Sequence, residues 1–326
     1  MLKLEVNKIE PQFNFRATIP TIAITVALLV DILIPNNANA KYRNLTNLRS
    51  VLIVGLVLTV ILFFVTLFNK SYREKYSHKS WFVGAMITFF NVLNIVTVKF
   101  MLLPQIYFPS LNRVLNVFIQ DRKLLLTCMG SSFSLFLEGL VVGVIAGIIT
   151  GIMVGWSKNW NYWVNPLIRM LGPIPSSTWI PLALVIFPTP RWAAIFLIAF
   201  GVWFQLTILT SSGIQSVSKS YFEVSSTLGA TDSQNLFRIA IPDSLPSIFL
   251  GFFNATCSSF VALIAAEMIG SKSGIGWYIN WQKEMVAYPN VYAGLLIIAA
   301  FCYIFITIQF KIRDKLLGWQ KGVIKW

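Results

Sequence analysis

The sequence predicts an all-α fold: a polytopic membrane helical bundle of about eight spans. Three observations predict it. Hydrophobic residues make up 56% of the 326 and charged residues only 12%, where a soluble globular chain carries about twice that charge. Mean hydropathy is +0.70. Apolar runs of spanning length recur along the chain, and most Lys and Arg sit in the short segments between them, where membrane proteins place them.

Composition also narrows the function classes. The net charge of +14 would suit a nucleic acid, but no basic run is flanked by stacking aromatics, so no nucleic-acid partner is expected. Cys128, Cys257 and Cys302 lie in or beside apolar segments at no metal-like spacing and read as small packing residues. His78, the single histidine, sits in a basic linker. That argues against a histidine-based triad or a His-ligated metal. There is no G-x-x-x-x-G-K-[ST]; Gly270-Ser271-Lys272-Ser273 lacks the leading glycine and the GK pair, so the chain is not expected to bind ATP or any other cofactor itself.

Residues 1–17 are polar, with Lys3, Lys8 and Arg16. Residues 18–35 form the first apolar run, interrupted by Asp31. Ala38-Asn39-Ala40 looks like a signal-peptidase site, but the long polar leader and Asp31 favour retention of this run. Residues 51–68 are a clean span, and the linker carrying Lys70, Arg73, Lys75 and Lys79 reads as cytoplasmic. Residues 81–103 are apolar but hold Asn91, Asn94 and Lys99; Lys99 is near enough to the outer end to snorkel. Residues 111–128 suggest a short amphipathic helix on the outer face.

Residues 131–156 hold Gly139, Gly143, Gly147, Gly151 and Gly155, overlapping G-x-x-x-G units that let a neighbouring helix approach closely. Four-residue steps drift about 40° each at 3.6 residues per turn, so the stripe is expected to wind around the helix. Residues 161–188 contain Gly172-Pro173-Ile174-Pro175-Ser176-Ser177-Thr178-Trp179-Ile180-Pro181. Three prolines rule out a straight helix, and the freed backbone must be buried in protein or face a watery cavity. Pro173, Pro175, Ser176 and Pro181 are therefore candidate pathway-lining residues. Residues 192–211 and 246–269 are further spans. Glu267, near the outer end of its span, is expected to find a hydroxyl or backbone donor and to serve structure or gating. Ser273 to Tyr288 reads as an outer re-entrant or amphipathic segment, residues 291–310 as the last span, and Lys311 to Lys325 as a cytoplasmic tail.

Between two of these spans lies a polar island, Ser220 to Pro246. Ser220 with Glu223, and Thr231 with Gln234, are capping-box pairs that open two short helices. Gly229 stands where the first needs a left-handed stop. Pro242 and Pro246 are expected to end the second and start the next span. An ordered polar loop of this kind usually offers a docking surface.

The spacing of Glu223, Gly229 and Ile239-Ala240-Ile241-Pro242 resembles the E-A-A-x3-G-x9-I-x-L-P loop of ABC-importer permeases, with Val224 and Ser225 for the two alanines and Ile241 for the leucine. Leu103-Pro104-Gln105-Ile106-Tyr107-Phe108-Pro109-Ser110 is similar to the L-P-S-P segment of the nitrate, sulfonate, taurine and bicarbonate importers. The Gly172–Pro181 block is similar to R-P-I-P-x-x-A-W-I-P-L, and Ala265-Glu267-Gly270 onward to A-E-M-L-G-x-x-x-G-L-G. The resemblance implies a six-helix permease core over residues 81–326, preceded by an extension, residues 1–80, with two transmembrane helices. It implies that the loop carrying Glu223, Val224, Ser225, Gly229, Ile239, Ile241 and Pro242 is a coupling helix for a cytoplasmic ABC ATPase dimer. Further implied partners are an extracytoplasmic substrate-binding protein, a second permease chain (identical or a paralogue) and the bilayer of the cell membrane. The cargo it implies is a small anion such as nitrate, a sulfonate or bicarbonate, with a pyrimidine or other small organic solute as the alternative. A passive channel or scaffold would need no docking loop; a membrane enzyme would need paired acids or a metal cluster, and the carboxylates here are isolated.

Overall fold

The computed structural model describes residues 15–37, 47–68, 70–172 and 174–319. Ala38-Asn39-Ala40 and Pro173 lie outside the described residues. Among the described residues every regular element is helical. The chain divides into two compact units, residues 1–122 with 286–293, and residues 123–285 with 294–326.

The first unit holds α1 (Phe15–Leu33), α2 (Asn47–Phe68), α3 (Lys70–Asn94), a π turn over Ile95–Lys99, and α4 (Leu111–Gln120). α2 is apolar on every side and little of it is buried, as suits a helix whose solvent is lipid. Helix α3 passes residue 80 unbroken. Ser110 caps α4, its Oγ accepting from the Arg113 N–H at 3.4 Å. α4 ends at Gln120, and the helix expected from residue 131 already begins at Arg122.

Asp31, the charge that interrupts the first apolar run, is part of an ionic cluster. Its carboxylate lies 3.2 Å from Arg49 Nε and 3.6 Å from Lys99 Nζ. Lys99 does not snorkel. Its side chain is 1% exposed, and its ammonium donates to the carbonyls of Asp31, at 3.3 Å, and Ile34. Those lie at and just past the C-terminal end of α1, where carbonyls lack helical partners and a cation is favoured. Two charges that look out of place in apolar runs therefore satisfy each other, and the carboxylate ties α1 to α2 as well.

The second unit holds the rest of α5 (Arg122–Trp156), then α6 (Lys158–Leu171), a 3₁₀ turn (Ser176–Trp179), α7 (Ile180–Ile186), α8 (Pro190–Gln215), α9 (Lys219–Thr227), α10 (Asp232–Asn235), α11 (Ile241–Gly270), α12 (Ile275–Glu284) and most of α13 (Tyr288–Leu316). α8 is central, with over half of its spanning stretch buried. In the same core Phe136 stacks on Phe260 at 4.4 Å, with Phe301 and Phe305 edge-on to Phe136.

All five glycines of the α5 stripe meet α8. A Cβ at Gly139, Gly143, Gly147, Gly151 or Gly155 would run into Ile198, Val202, Leu206, Thr210 or Ile214 respectively. The stripe stays in contact as it winds, because α8 presents its own four-residue row, and two such rows interlock as ridges and grooves. Hydrogen bonds reinforce the seam. The Thr150 and Thr207 hydroxyls lie 2.7 Å apart, and Trp203 Nε1 donates to Thr150 Oγ1 at 3.0 Å.

The register has a topological consequence. Residue numbers rise together along α5 and α8, so the two helices run parallel. The chain must therefore return to its starting end between Trp156 and Pro190. Seven helices among the described residues are long and apolar enough to span by themselves; the remaining crossing, expected over 161–188, is the broken one made of α6, the 3₁₀ turn and α7. One end of this unit carries Ser132, Pro190 and Glu267; the other carries Trp156, Gln215 and the α9–α10 loop.

Candidate functional site

The loop between α8 and α11 is ordered by its own backbone. Gly229 has φ +83°. Its N–H donates to the Ser226 carbonyl at 3.0 Å, and the Ala230 N–H to the Ser225 carbonyl at 3.0 Å. This pair is a Schellman stop, which closes the last carbonyls of α9 and requires the left-handed glycine. Thr231 and Gln234 form the expected capping box, Thr231 Oγ1 accepting from Gln234 N–H and Gln234 Oε1 from Thr231 N–H. One hydrogen bond and one ring contact then fix the loop. Ser225 Oγ donates to Asn235 Oδ1 at 2.6 Å, Asn235 being buried. Phe222 packs edge-on to Trp156, the last residue of α5.

Two expectations for this loop are corrected. The Ser220–Glu223 box does not form: α9 starts at Lys219 after Ser218, and the Ser218 and Ser220 hydroxyls bond each other at 2.7 Å. Those hydroxyls satisfy each other rather than the helix end, and Glu223 becomes the fifth helical residue, exposed to solvent. Pro242 and Pro246 do not end a helix either. Residues 232–270 are continuously helical through a π turn over Leu236–Ala240, in which the Ile241 N–H reaches back to the Leu236 carbonyl. The wider turn falls just ahead of Pro242, whose ring would press on the carbonyl four residues earlier and whose nitrogen has no proton to give it.

The loop leaves an apolar face uncovered. Leu228 is 82% exposed and Phe237 65%, and Tyr221 and Val224 are also exposed. Ile239, Ile241 and Pro242 are half-buried in the stem, and Ala240 is fully buried.

The broken crossing lies against α8 and α11. Gly172 caps α6, and a side chain there would collide with the Phe204 ring; a Cβ at Gly201 would come 3.2 Å from Ser176 Oγ. Between them is a cavity of about 200 Å³ whose walls include Pro175, Ser176, Phe200 and Gln205. Pro181 stands instead in the first turn of α7, where proline fits a helix start.

Glu267 lies apart from that cavity. It is 1% exposed, and its carboxylate accepts from Ser132 Oγ at 2.6 Å and from the Gly276 N–H at 2.8 Å. Ser132 Oγ in turn accepts from the Ile275 N–H at 2.8 Å. Glu267 and Ser132 therefore hold the first two N–H groups of α12, where a negative charge suits the helix dipole. Gly274, at φ +132°, completes the clamp: any Cβ there would strike the Glu267 carboxylate.

Sequence reasoning missed Ser132, Asn235, Gln205 and Ser258. Gln205 had a signal, an amide inside an apolar span. Ser132 had none, because its partner is 135 positions away.

The family model described as binding-protein-dependent transport system inner membrane component matches residues 143–317. A Bacillus subtilis permease named for aliphatic sulfonates transport is 30% identical over 165 residues, 51% of this chain and 60% of that protein. A bicarbonate transport system permease protein of Synechococcus elongatus is 32% identical over 167 residues, 51% of this chain and 57% of that protein. The matched stretch thus spans at most about three fifths of these relatives' length. A solved structure of the MetNI methionine ABC transporter, inward facing, aligns with TM-score 0.48 and 17% identity over 57% of this chain and 92% of that one. With the family model covering more than half of its length, the chain belongs to the binding-protein-dependent transport system inner membrane components, and is a multi-pass membrane protein.

Proposed function

We propose that the chain is the translocation subunit of an ATP-driven importer for a small anion of the sulfonate, nitrate or bicarbonate kind. Two permease chains, identical or paralogous, form the pathway. A cytoplasmic ATPase dimer docks on α9 and α10, and ATP hydrolysis resides there rather than on this chain. An extracytoplasmic binding protein delivers the solute at the opposite end, near Glu267 and α12. The transport core is assigned to residues 81–326, and residues 1–80 are an added two-helix extension.

The observation that carries the reading is the α9–α10 loop. It is rigidly stopped at Gly229 and pinned to the end of α5 through Trp156 and Phe222, yet it leaves Leu228 and Phe237 bare. Apolar side chains fixed in a surface loop are costly unless a partner covers them, and a passive channel has no use for them. Movement of the partner is then transmitted through α5 and α8, and a nucleotide shifts the permease between states only by binding one of them better. The test is uptake into proteoliposomes containing this chain, its ATPase and its binding protein. ATP-dependent accumulation that needs all three supports the reading; ATP-independent flux through the chain alone contradicts it.

A further inference from the structure

We propose that the groove between α5 and α8, at the end of the bundle opposite the α9–α10 loop, is a phospholipid site selective for a headgroup that carries both a phosphate and a primary ammonium. The first observation is an ion pair opened onto an apolar surface. Arg191 Nη2 donates to Glu138 Oε1 and, at 3.0 Å, to Ser134 Oγ, and Ser134 Oγ donates to the same carboxylate oxygen at 2.9 Å. The pair is not shut away: the Arg191 side chain is 53% exposed and that of Glu138 41%. Beyond it the exposed residues of α5 are Val141, Val142, Ile145 and Ile149, down to Trp156. Charges on the lipid face of a span are costly unless polar groups surround them.

The second observation is depth. Glu138 lies eighteen positions before Trp156, the last residue of α5, about 27 Å at 1.5 Å per residue. That is close to one hydrocarbon thickness, about 30 Å. With Trp156 at one boundary, beside the α9–α10 loop, the ion pair stands at the other, at headgroup level. Trp192, exposed next to Arg191, is the residue type that favours this level. Ile149 is eleven positions beyond Glu138, about 16 Å, so the exposed row is about as long as one leaflet is thick. The third observation is complementarity. The groove holds about 640 Å³, and Phe133, Leu137, Val141, Trp192 and Ile195 wall it beside Glu138. These walls take an acyl chain, while the guanidinium takes the phosphate and the carboxylate takes the ammonium. A choline headgroup has no N–H for Glu138, and an anionic glycerol headgroup has no cation to set against it. A phosphoethanolamine headgroup supplies both, and by bridging Arg191 to Glu138 it closes this end of the α5–α8 seam.

The test uses the purified full chain in mild detergent, stripped of lipid and titrated separately with dioleoyl phosphatidylethanolamine, phosphatidylcholine and phosphatidylglycerol. Native mass spectrometry counts the lipid retained on each chain. The ethanolamine lipid should bind saturably and at least about tenfold more tightly than either of the others, the scale of one charge-assisted hydrogen bond. Glu138→Gln should bring the ethanolamine and choline lipids to within about twofold of each other, because the carboxylate that tells them apart is gone. Arg191→Gln, the second variant should Glu138→Gln fail to fold, should weaken all three lipids. A photoreactive residue in place of Val142 should attach to lipid. Equal retention of the three lipids by the unaltered chain, a preference that both folded variants leave unchanged, or attachment of position 142 to a second copy of the chain overturns the proposal.

Discussion

Gly143 of α5 lies against Val202 of α8 so closely that a Cβ built on the glycine would stand 2.6 Å from the valine Cβ and 2.7 Å from the Ala199 carbonyl oxygen. Both obstacles are close to or part of the backbone of a well-buried helix, so neither can swing aside. At Gly147 the corresponding atoms, Leu206 Cβ and Trp203 O, are at 2.9 and 3.2 Å. Around Gly130, on the same helix, there is nothing within 4 Å.

These distances grade the effect of filling the seam. Overpacking a tight interface costs typically about 1–3 kcal/mol. Gly143→Leu should destabilise the protein most, Gly147→Leu less, and Gly130→Ala not at all. Thermal unfolding of the three purified variants in one lipid system checks the order. Equal melting temperatures across the set would mean that the α5–α8 seam is not closed.

The clamp on α12 predicts another order. Glu267→Gln keeps an acceptor for the Gly276 N–H and gives Ser132 a donor it can accept, so the loss should be under about 1 kcal/mol. Glu267→Ala leaves buried donors unmatched, at about 1–3 kcal/mol. Gly274→Ala should be damaging with Glu267 present and milder when combined with Glu267→Ala, because the colliding group is then gone. The double-mutant cycle reads that coupling from unfolding midpoints. Strict additivity would show that Gly274 and Glu267 do not meet.

In the first unit, Asp31→Asn leaves the Lys99 ammonium buried beside a neutral group. Removing one member of a buried pair costs about 3–5 kcal/mol, and replacing both is far cheaper. Asp31→Asn should therefore lower folded yield and melting temperature sharply, while Asp31→Asn with Lys99→Met recovers much of the loss. A double variant as unstable as the single one would refute the pairing. The same cluster gives α1 a structural role, so mature protein isolated from membranes should retain residues 15–37; an N-terminus at Lys41 would contradict it.

What could be read from the sequence was local. The left-handed stop at Gly229, the Thr231–Gln234 box and the break around Pro175 follow from the chemistry of neighbouring residues, and each is present. The five glycines announced a close contact without naming its partner. What could not be read depends on distant chain. Lys99 looked like a snorkelling side chain because its partners are 65 and 68 positions away. The start of α9 was misplaced because Ser218 and Ser220 compete for the cap with nearly equal chemistry. The proline-broken helix proved continuous because a π turn at Leu236–Ala240 makes room ahead of Pro242, and no residue type signals such a turn.

The central claim is that α9 and α10 join this permease to an ATPase, and Gly229 gives the most direct test. A β-branched residue there must adopt a φ of +83°, which costs roughly 1–2 kcal/mol or more. Nothing lies within 4 Å of its Cβ position, so the strain stays in the loop and the bundle is spared. Gly229→Val should insert at normal abundance with an unchanged melting temperature. The measurement is copurification of the ATPase with membrane-extracted Gly229→Val, alongside ATP-dependent uptake in vesicles. The account predicts that both are lost or greatly reduced. Full ATPase recovery together with normal uptake would contradict it.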